Sequence, residues 1–497
     1  MTEPCDLSAV AARRLIGARR LAPSELLDSC IRRIETVDPA VNAMVARDFA
    51  RARAAAREAD AAVARGATLG PLHGLPLGVK DLEDTAGLVT TYGSPIYRDH
   101  VPAADERIVA ALRQAGAIVL GKTNTPEFGA GANTRNAVYG VTANPFDPSK
   151  SAAGSSGGSA VALACGMVPI ATGSDTGGSL RNPAAFCGIV GFRPTPGLVP
   201  SDKRGLGWSN LPVLGPMARS VADLALLLSA MVGDDASDPL AATVHGAVVR
   251  RAADFAVPAA CDLAGLRVAL TPDFGFAPTE THIREVFAAA TASLRPLFAR
   301  ADDASPDCSG ADETFEVLRA LSFLAAHLDK VRTRPADVGP NVRANVEEGL
   351  RYSAADVARA MAAQTAYYRR WQAFFGQYDL ILTPSITISP RSWRELYPAE
   401  IDGRPTRSYF HWLALAYAVT LAGHPALSLP VGTDRHGMPF GLQIVGPRGG
   451  DALVLAAAAA IERVLAGEKA TARPVPDLAR LAAARPIAQA EGFLGFD

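Results

Sequence analysis

Apolar residues recur at helical spacing over residues 7–66 and then give way to short, nearly continuous runs. Asp6 and Ser8 stand where they can cap a first helix. Pro23-Ser24-Glu25 opens a second, with Leu26, Leu27, Cys30, Ile31 and Ile34 on one face. An Ala- and Arg-rich stretch from about Val45 to Arg65 predicts a third helix, lying on the surface. The pattern changes in Leu72–Asp81, where Leu75, Leu77 and Val79 lead into Lys80, a short strand that ends in a lysine. A helix from about Asp105 and a second strand, Ala117–Leu120, follow. Strand, helix, strand in that order predicts an α/β sheet with helical crossovers.

Residues 131–153 read as irregular, with turns at Asn144-Pro145 and Asp147-Pro148. Two glycine-serine clusters, Gly154–Ser159 and Thr176–Ser179, then flank an apolar run from Ala160 to Ile170. A strand at Ile189–Phe192, a turn at Pro194–Gly197 and a helix over 219–233 come next. From about 234 to 378 the pattern loosens to a strand at Leu266–Leu270 and long helices, including 354–376. Strands return at Leu380–Thr383, Ala426–Leu429 and Gly441–Val445, a helix spans roughly 450–466, and the Ala/Pro-rich tail 473–497 is expected to wrap the surface. With no internal repeat and no evident linker, 1–497 reads as a single domain.

Hydrophobic residues make up 49% and charged residues 20% of the 497, ample for a large buried core. A net charge of -1 offers no electrostatic footprint for nucleic acid or an anionic membrane. Six scattered cysteines without CxxC spacing read as reduced thiols of a cytoplasmic protein, and suggest neither a zinc site nor a disulfide framework. The N-terminus lacks the pattern of a signal peptide, and no stretch is long and apolar enough to predict a spanning helix.

The glycine-serine clusters carry the chemistry. A serine directly after Gly177-Gly178 presents a hydroxyl beside bare amide N–H groups, the combination that acyl transfer needs. Gly154-x-Ser156-x-Gly158 formally matches a nucleophile elbow, but that motif needs a strand before the turn, and the prolines upstream argue against one. His245, His282, His327, His411, His424 and His436 follow in the order a histidine triad requires, yet none has a recognisable setting. No lysine follows the glycines as in a phosphate loop. A serine without a histidine base can be activated by a neutral lysine, and burial can lower a lysine pKa to roughly 7–8. Lys80 is the best candidate and Lys122, at the end of the next strand, its competitor.

The ordered motifs Gly78-Val-Lys80-Asp, Gly121-Lys-Thr-Asn-Thr-Pro-Glu-Phe128, Gly154–Ser159 and Gly173-Ser-Asp-Thr-Gly-Gly-Ser-Leu-Arg181 resemble the amidase signature family. Pro425–Gly432 and Gly441–Gly446 extend the likeness toward the C-terminus. The resemblance implies an α/β fold with a large central mixed β-sheet flanked by helices on both faces, a signature core over about 70–215 and a variable, helix-rich elaboration over about 234–378. It implies a Ser-cisSer-Lys triad: Ser179 as nucleophile, Lys80 as base acting through Ser155, and a cis peptide before Ser155. Thr176, Gly177, Gly178 and Ser179 would supply the oxyanion hole, Ser156 would support Lys80, and Asp175 and Arg181 would hold the loop. Gly129, Ala130 and Gly131 would line the substrate site. Family members usually carry glycine at the position of Ala153, where alanine is tolerated if its φ is negative. The implied activity is amide hydrolysis with neither metal nor cofactor. The partner is a small-molecule amide, with no nucleic acid and no membrane, and a homodimer is left open. The amidase subunit of a tRNA-dependent amidotransferase and a carbamate or ureido hydrolase are the alternatives. A second pocket wall is expected from Tyr409–Trp412, with Leu415 or Ala416 one turn on. Arg391 and Arg394 are the only cations that suggest themselves for a substrate carboxylate, so the expectation is a preference for uncharged apolar or aromatic amides over glutamine.

Overall fold

The computed structural model describes residues 3–241, 243–244, 247–248 and 250–494; His245 and the last three residues of the tail lie outside them. The helices open where the sequence supplies a cap. The Ser8 side chain accepts from the Ala11 N–H at the start of α1 (Ala9–Gly17), and Pro23 stands in the first turn of α2 (Pro23–Val37), which buries the expected apolar face. The third helix starts later than the Ala/Arg pattern predicts. Asp48 caps α3 (Phe49–Ala64), and Met44–Arg47 ahead of it is β1, a short edge strand whose Met44 and Ala46 point inward.

β2 (Pro76–Lys80), α4 (Arg107–Gln114) and β3 (Ile118–Thr123) form the predicted crossover, with the two strands parallel from Pro76↔Ile118 to Lys80↔Thr123. The apolar run between the glycine-serine clusters divides into α5 (Gly157–Ala164) and β4 (Ile170–Asp175), and β4 pairs in parallel with β2. α6 (Arg181–Cys187) and β5 (Val190–Arg193) follow. Then comes β6 (Val213–Ala218), a strand the apolar pattern hides because Gly215 and Pro216 interrupt it. β6 runs antiparallel to β4 over its whole length.

α7 (Val221–Met231) leads into the loosely patterned region. It holds β7 (Arg267–Leu270), α8 (Thr281–Leu294), the polar edge strand β8 (Arg300–Asp303), and the helices α9 (Ala311–Thr333), α10 (Pro340–Gly349) and α11 (Ala354–Phe375). β9 (Leu380–Pro384), α12 (Ala414–Ala422), β10 (Ala426–Thr433), β11 (Pro439–Val445) and α13 (Asp451–Leu465) complete the fold. The eleven-stranded mixed sheet has the order β1-β3-β2-β4-β6-β5-β10-β11-β9-β7-β8. Lys80 and Asp175 thus end neighbouring central strands on the same side, since β2 and β4 are parallel. One continuous apolar core reaches from Cys5 to Leu481.

Candidate active site

β2 is buried at every position, so its last side chain, Lys80, has no route to solvent. Its backbone N–H donates to Thr172 Oγ1 on β4 at 2.9 Å, fixing where the strand ends. The Nζ amine meets three hydroxyl oxygens: Ser155 Oγ at 2.7 Å, Ser156 Oγ at 2.9 Å and Ser174 Oγ at 2.9 Å. Burial pulls the Lys80 pKa well below its ordinary value, against the opposing pull of the Glu83 and Asp175 carboxylates. A neutral amine has two hydrogens and one lone pair. Among three hydroxyls it donates to two and accepts from the third, which makes it a proton acceptor in place. Lys122 is equally buried, but its Nζ bonds the Glu83 carbonyl and, at 2.9 Å, Thr85 Oγ1; it holds the turn after β2 and bonds none of the active-site serines.

Ser155 follows a cis peptide bond from Gly154, as the family resemblance implies. Ser156, next in the chain, precedes α5, and no strand precedes the turn, so the elbow arrangement is absent. Ala153 departs from expectation: its φ is +58°, in the left-handed region where a Cβ is disfavoured, not the negative value that would accommodate an alanine freely. Its carbonyl accepts from the Thr134 N–H at 3.1 Å and Thr134 Oγ1 at 2.8 Å, bonds that hold the residue in that conformation.

Ser179 sits in a loop shaped by one carboxylate. Asp175 Oδ1 accepts from Gly178 N at 3.0 Å and Arg181 Nη2 at 2.8 Å; Oδ2 accepts from Leu180 N at 3.2 Å and Arg181 Nε at 3.0 Å. Burial alone would raise the Asp175 pKa, but Arg181 and Arg193 outweigh it and hold the group far below the usual carboxylate range. Arg193, which the sequence reading missed, is a charged residue closing an otherwise apolar strand; its Nη1 donates to the Asp175 carbonyl at 2.8 Å. Gly178 has φ +104°, and a Cβ there would lie 2.5 Å from the Ala416 methyl, so only glycine turns this corner. The Gly178 N–H is therefore already committed to Asp175 and leaves the expected oxyanion set. The Gly177 and Ser179 N–H groups take no protein acceptor among the described residues.

Ser155, Ser174, Thr176, Gly177 and Ser179 line one cavity of about 390 Å³. Gly129 (φ +71°) and Gly131 border it, and a Cβ on Gly129 would come within 3.4 Å of Ser155 Oγ. Ala130 does not line it; it packs against Val338 and Val342. The other wall also corrects the sequence reading. Phe410 and Trp412 are buried in the core, and from that stretch only the following Leu413 reaches the cavity. The wall instead comes from Phe128, from loop residues between Ser201 and Pro212 and the start of β6, and from α9 through Arg319, Phe323 and His327. The His327 ring packs tilted against Phe128 with centroids 4.5 Å apart, and burial, aided by Lys330, lowers its pKa to about 3, so it stays neutral. Arg391 pairs with Glu280 at 2.7 Å and Arg394 stacks on Trp393; neither borders the cavity.

Known proteins resemble this chain over most of its length. The family model described as Amidase matches residues 25–455. An acylamidase of Rhodococcus erythropolis is 34% identical over 461 residues, covering 92% of this chain and 95% of its own length. The A-type subunit of the glutamyl-tRNA(Gln) amidotransferase of Chloroflexus aurantiacus is likewise 34% identical over 488 residues, covering 93% of this chain and 98% of its own. The solved structure of a bacterial aryl acylamidase of the amidase signature family superposes with a TM-score of 0.85 at 27% identity, covering 97% of this chain and 99% of that one. The chain belongs to the amidase family, and its activity is the hydrolysis of amide C–N bonds.

Proposed function

We propose that the protein hydrolyses small amides with an apolar or aromatic body through a serine acyl-enzyme. The observation that carries this reading is the buried Lys80 amine, bonded to Ser155, Ser156 and Ser174 beside a cavity that Ser179 borders. Ser179 Oγ attacks the amide carbonyl while its proton passes to Ser155 Oγ and the Ser155 proton passes to Lys80 Nζ. The oxyanion that forms is met by the N–H groups of Thr176, Gly177 and Ser179, fixed donors that need no reorganisation at the moment of reaction. The relay then runs backwards to protonate the leaving amine. Water repeats the sequence on the acyl ester and frees Ser179. Asp175 and Arg181 are positioning residues that set the shape of the loop.

We read residues 1–497 as one unit, with the reacting groups supplied by about 70–215 and the outer wall of the cavity by α9 of the elaboration. The six cysteines are unpaired, which fits a cytoplasmic location. A homodimer is compatible with this reading but not required by it. A cavity of this size with Phe128, Phe323 and Leu413 on its walls favours buried hydrocarbon over a compact polar amino acid amide. The amidotransferase reading draws support from the equally similar chain of Chloroflexus aurantiacus. Assay of the purified chain alone against aliphatic amides, aryl amides, carbamates and glutamine separates them. Aryl or alkyl amides are expected to show the highest kcat/KM; glutamine ahead by tenfold or more, about 1.4 kcal/mol of transition-state binding, would favour the amidotransferase reading.

A further inference from the structure

Three cations line the cavity, and their partners differ. Lys203 Nζ lies 3.0 Å from an Asp84 carboxylate oxygen and Arg204 Nη2 lies 3.4 Å from one of Asp238, so each has a counter-charge. Arg319, on the wall contributed by α9, has no carboxylate within ion-pair distance among the described residues, although it is only 6% exposed. Its Nε donates to the Tyr409 hydroxyl at 3.0 Å, and Nη2 donates to the same oxygen. That oxygen also accepts from Asn345 Nδ2 at 2.6 Å, so its accepting capacity is already shared. The Nη1 hydrogens have no protein acceptor among the described residues.

Aromatic rings keep this guanidinium in place. Its Cζ lies 4.8 Å from the Phe323 centroid, 5.2 Å from Tyr409 and 5.4 Å from Phe410. Such contacts attract a cation but do not neutralise it. An almost buried charge without a counter-ion is costly, and the cost falls when a ligand brings the opposite charge. The acidic residue on the cavity wall, Glu106, does not supply it. Glu106 accepts from the Asp84 N–H at 2.9 Å, and burial favours its neutral form.

Building on the amidase reading, we infer that Arg319 docks a carboxylate carried by the substrate alongside its scissile amide. The substrate class is then an amide with an apolar or aromatic body and a free carboxylate, on either the acyl or the amine side. The body lies against Phe128 and Phe323, and the carboxylate takes the Nη1 donors. This replaces the expected preference for wholly uncharged amides with a preference for anionic amides that still bury hydrocarbon.

The test uses two pairs of compounds that differ in charge at one end. 4-Acetamidobenzoate against 4-acetamidoacetophenone probes the amine side, and succinanilate against 4-oxo-N-phenylpentanamide probes the acyl side. In the wild-type chain one acid is expected to exceed its ketone partner in kcat/KM by about tenfold or more. Arg319→Met is expected to collapse that ratio to within about threefold, mainly through KM of the acid, and Arg319→Lys to restore part of it. Ketones favoured in both pairs, or acid and ketone losing equally in Arg319→Met, would overturn the inference and leave the amidase reading intact. No turnover of any of the four compounds, with Ser179 still labelled by a fluorophosphonate, would also overturn the inference alone. Loss of that labelling would remove the underlying reading as well.

Discussion

The two regions that meet at the cavity are built on different principles. The side that holds Lys80, Ser155, Ser174 and Ser179 is polar, fully buried behind the reacting groups and cross-bonded by side chains of β2, β4 and α6. The side formed by α9 is aromatic, and apart from Arg319 it bonds little. Hydrogen-bond geometry tolerates errors of tenths of an ångström, so reacting groups must be held by strands and a buried ion pair. Apolar recognition is non-directional and tolerates variation. On the proposed reading the chemistry is fixed in one region, while the choice of substrate is delegated to the other.

Substitutions on the two sides should differ in kind as well as size. Ser179→Ala should lower kcat by a factor on the order of 10⁴ or more in a protein whose melting temperature is unchanged; retention of a tenth of the activity would break the assignment. Lys80→Ala should cost several orders of magnitude. In the wild-type chain the rate should rise with pH, because protonation removes the Nζ lone pair. Since burial lowers the Lys80 pKa, this limb must fall below the 10.5 of an ordinary lysine. A limb at or above that value would mean the base is not a buried lysine. Lys122→Ala should act differently. It removes the cation that acts on Asp81 and the donor to the Glu83 carbonyl and Thr85 Oγ1, so stability should fall by about 1–3 kcal/mol in denaturant titration. The kcat of the folded fraction should stay within about tenfold.

On the recognition side, Phe323→Ala should lower kcat/KM for aryl amides by about tenfold, or 1.4 kcal/mol, chiefly through KM. The rate of fluorophosphonate labelling should be little changed; an equal loss in both would make α9 part of the chemistry. The smallest effect belongs to Ala153→Gly. Relief of the left-handed alanine should exceed the extra chain entropy of glycine and stabilise the fold by about 0.5–1 kcal/mol. Destabilisation in equilibrium unfolding would show that the Ala153 methyl packs favourably enough to offset its conformation.

The same division explains what could be read from the sequence. Lys80, Ser155, Ser156, Asp175 and Arg181 sit in short contiguous motifs, and the fold ties them together by hydrogen bonds, Lys80 to the two serines and Asp175 to Arg181. Strands with unbroken apolar runs were equally legible. β6 was not, since Gly215 and Pro216 break its run, and neither was polar β8. β1 was absorbed into a helical pattern that Asp48 in fact begins. The recognition wall joins Phe128 to α9, residues far apart in the chain and tied by no motif, so Arg319 and Phe323 carried no local signal. The commitment of the Gly178 N–H to Asp175 is likewise a matter of geometry that sequence spacing does not encode.

Peptide mapping by mass spectrometry after fluorophosphonate labelling of the intact protein tests the central assignment most directly. A single adduct on Ser179, formed faster as pH rises and lost in Lys80→Ala as well as Ser179→Ala, is the expected result. An adduct on Ser155 or Ser156, or labelling of Ser179 at full rate without Lys80, would contradict it.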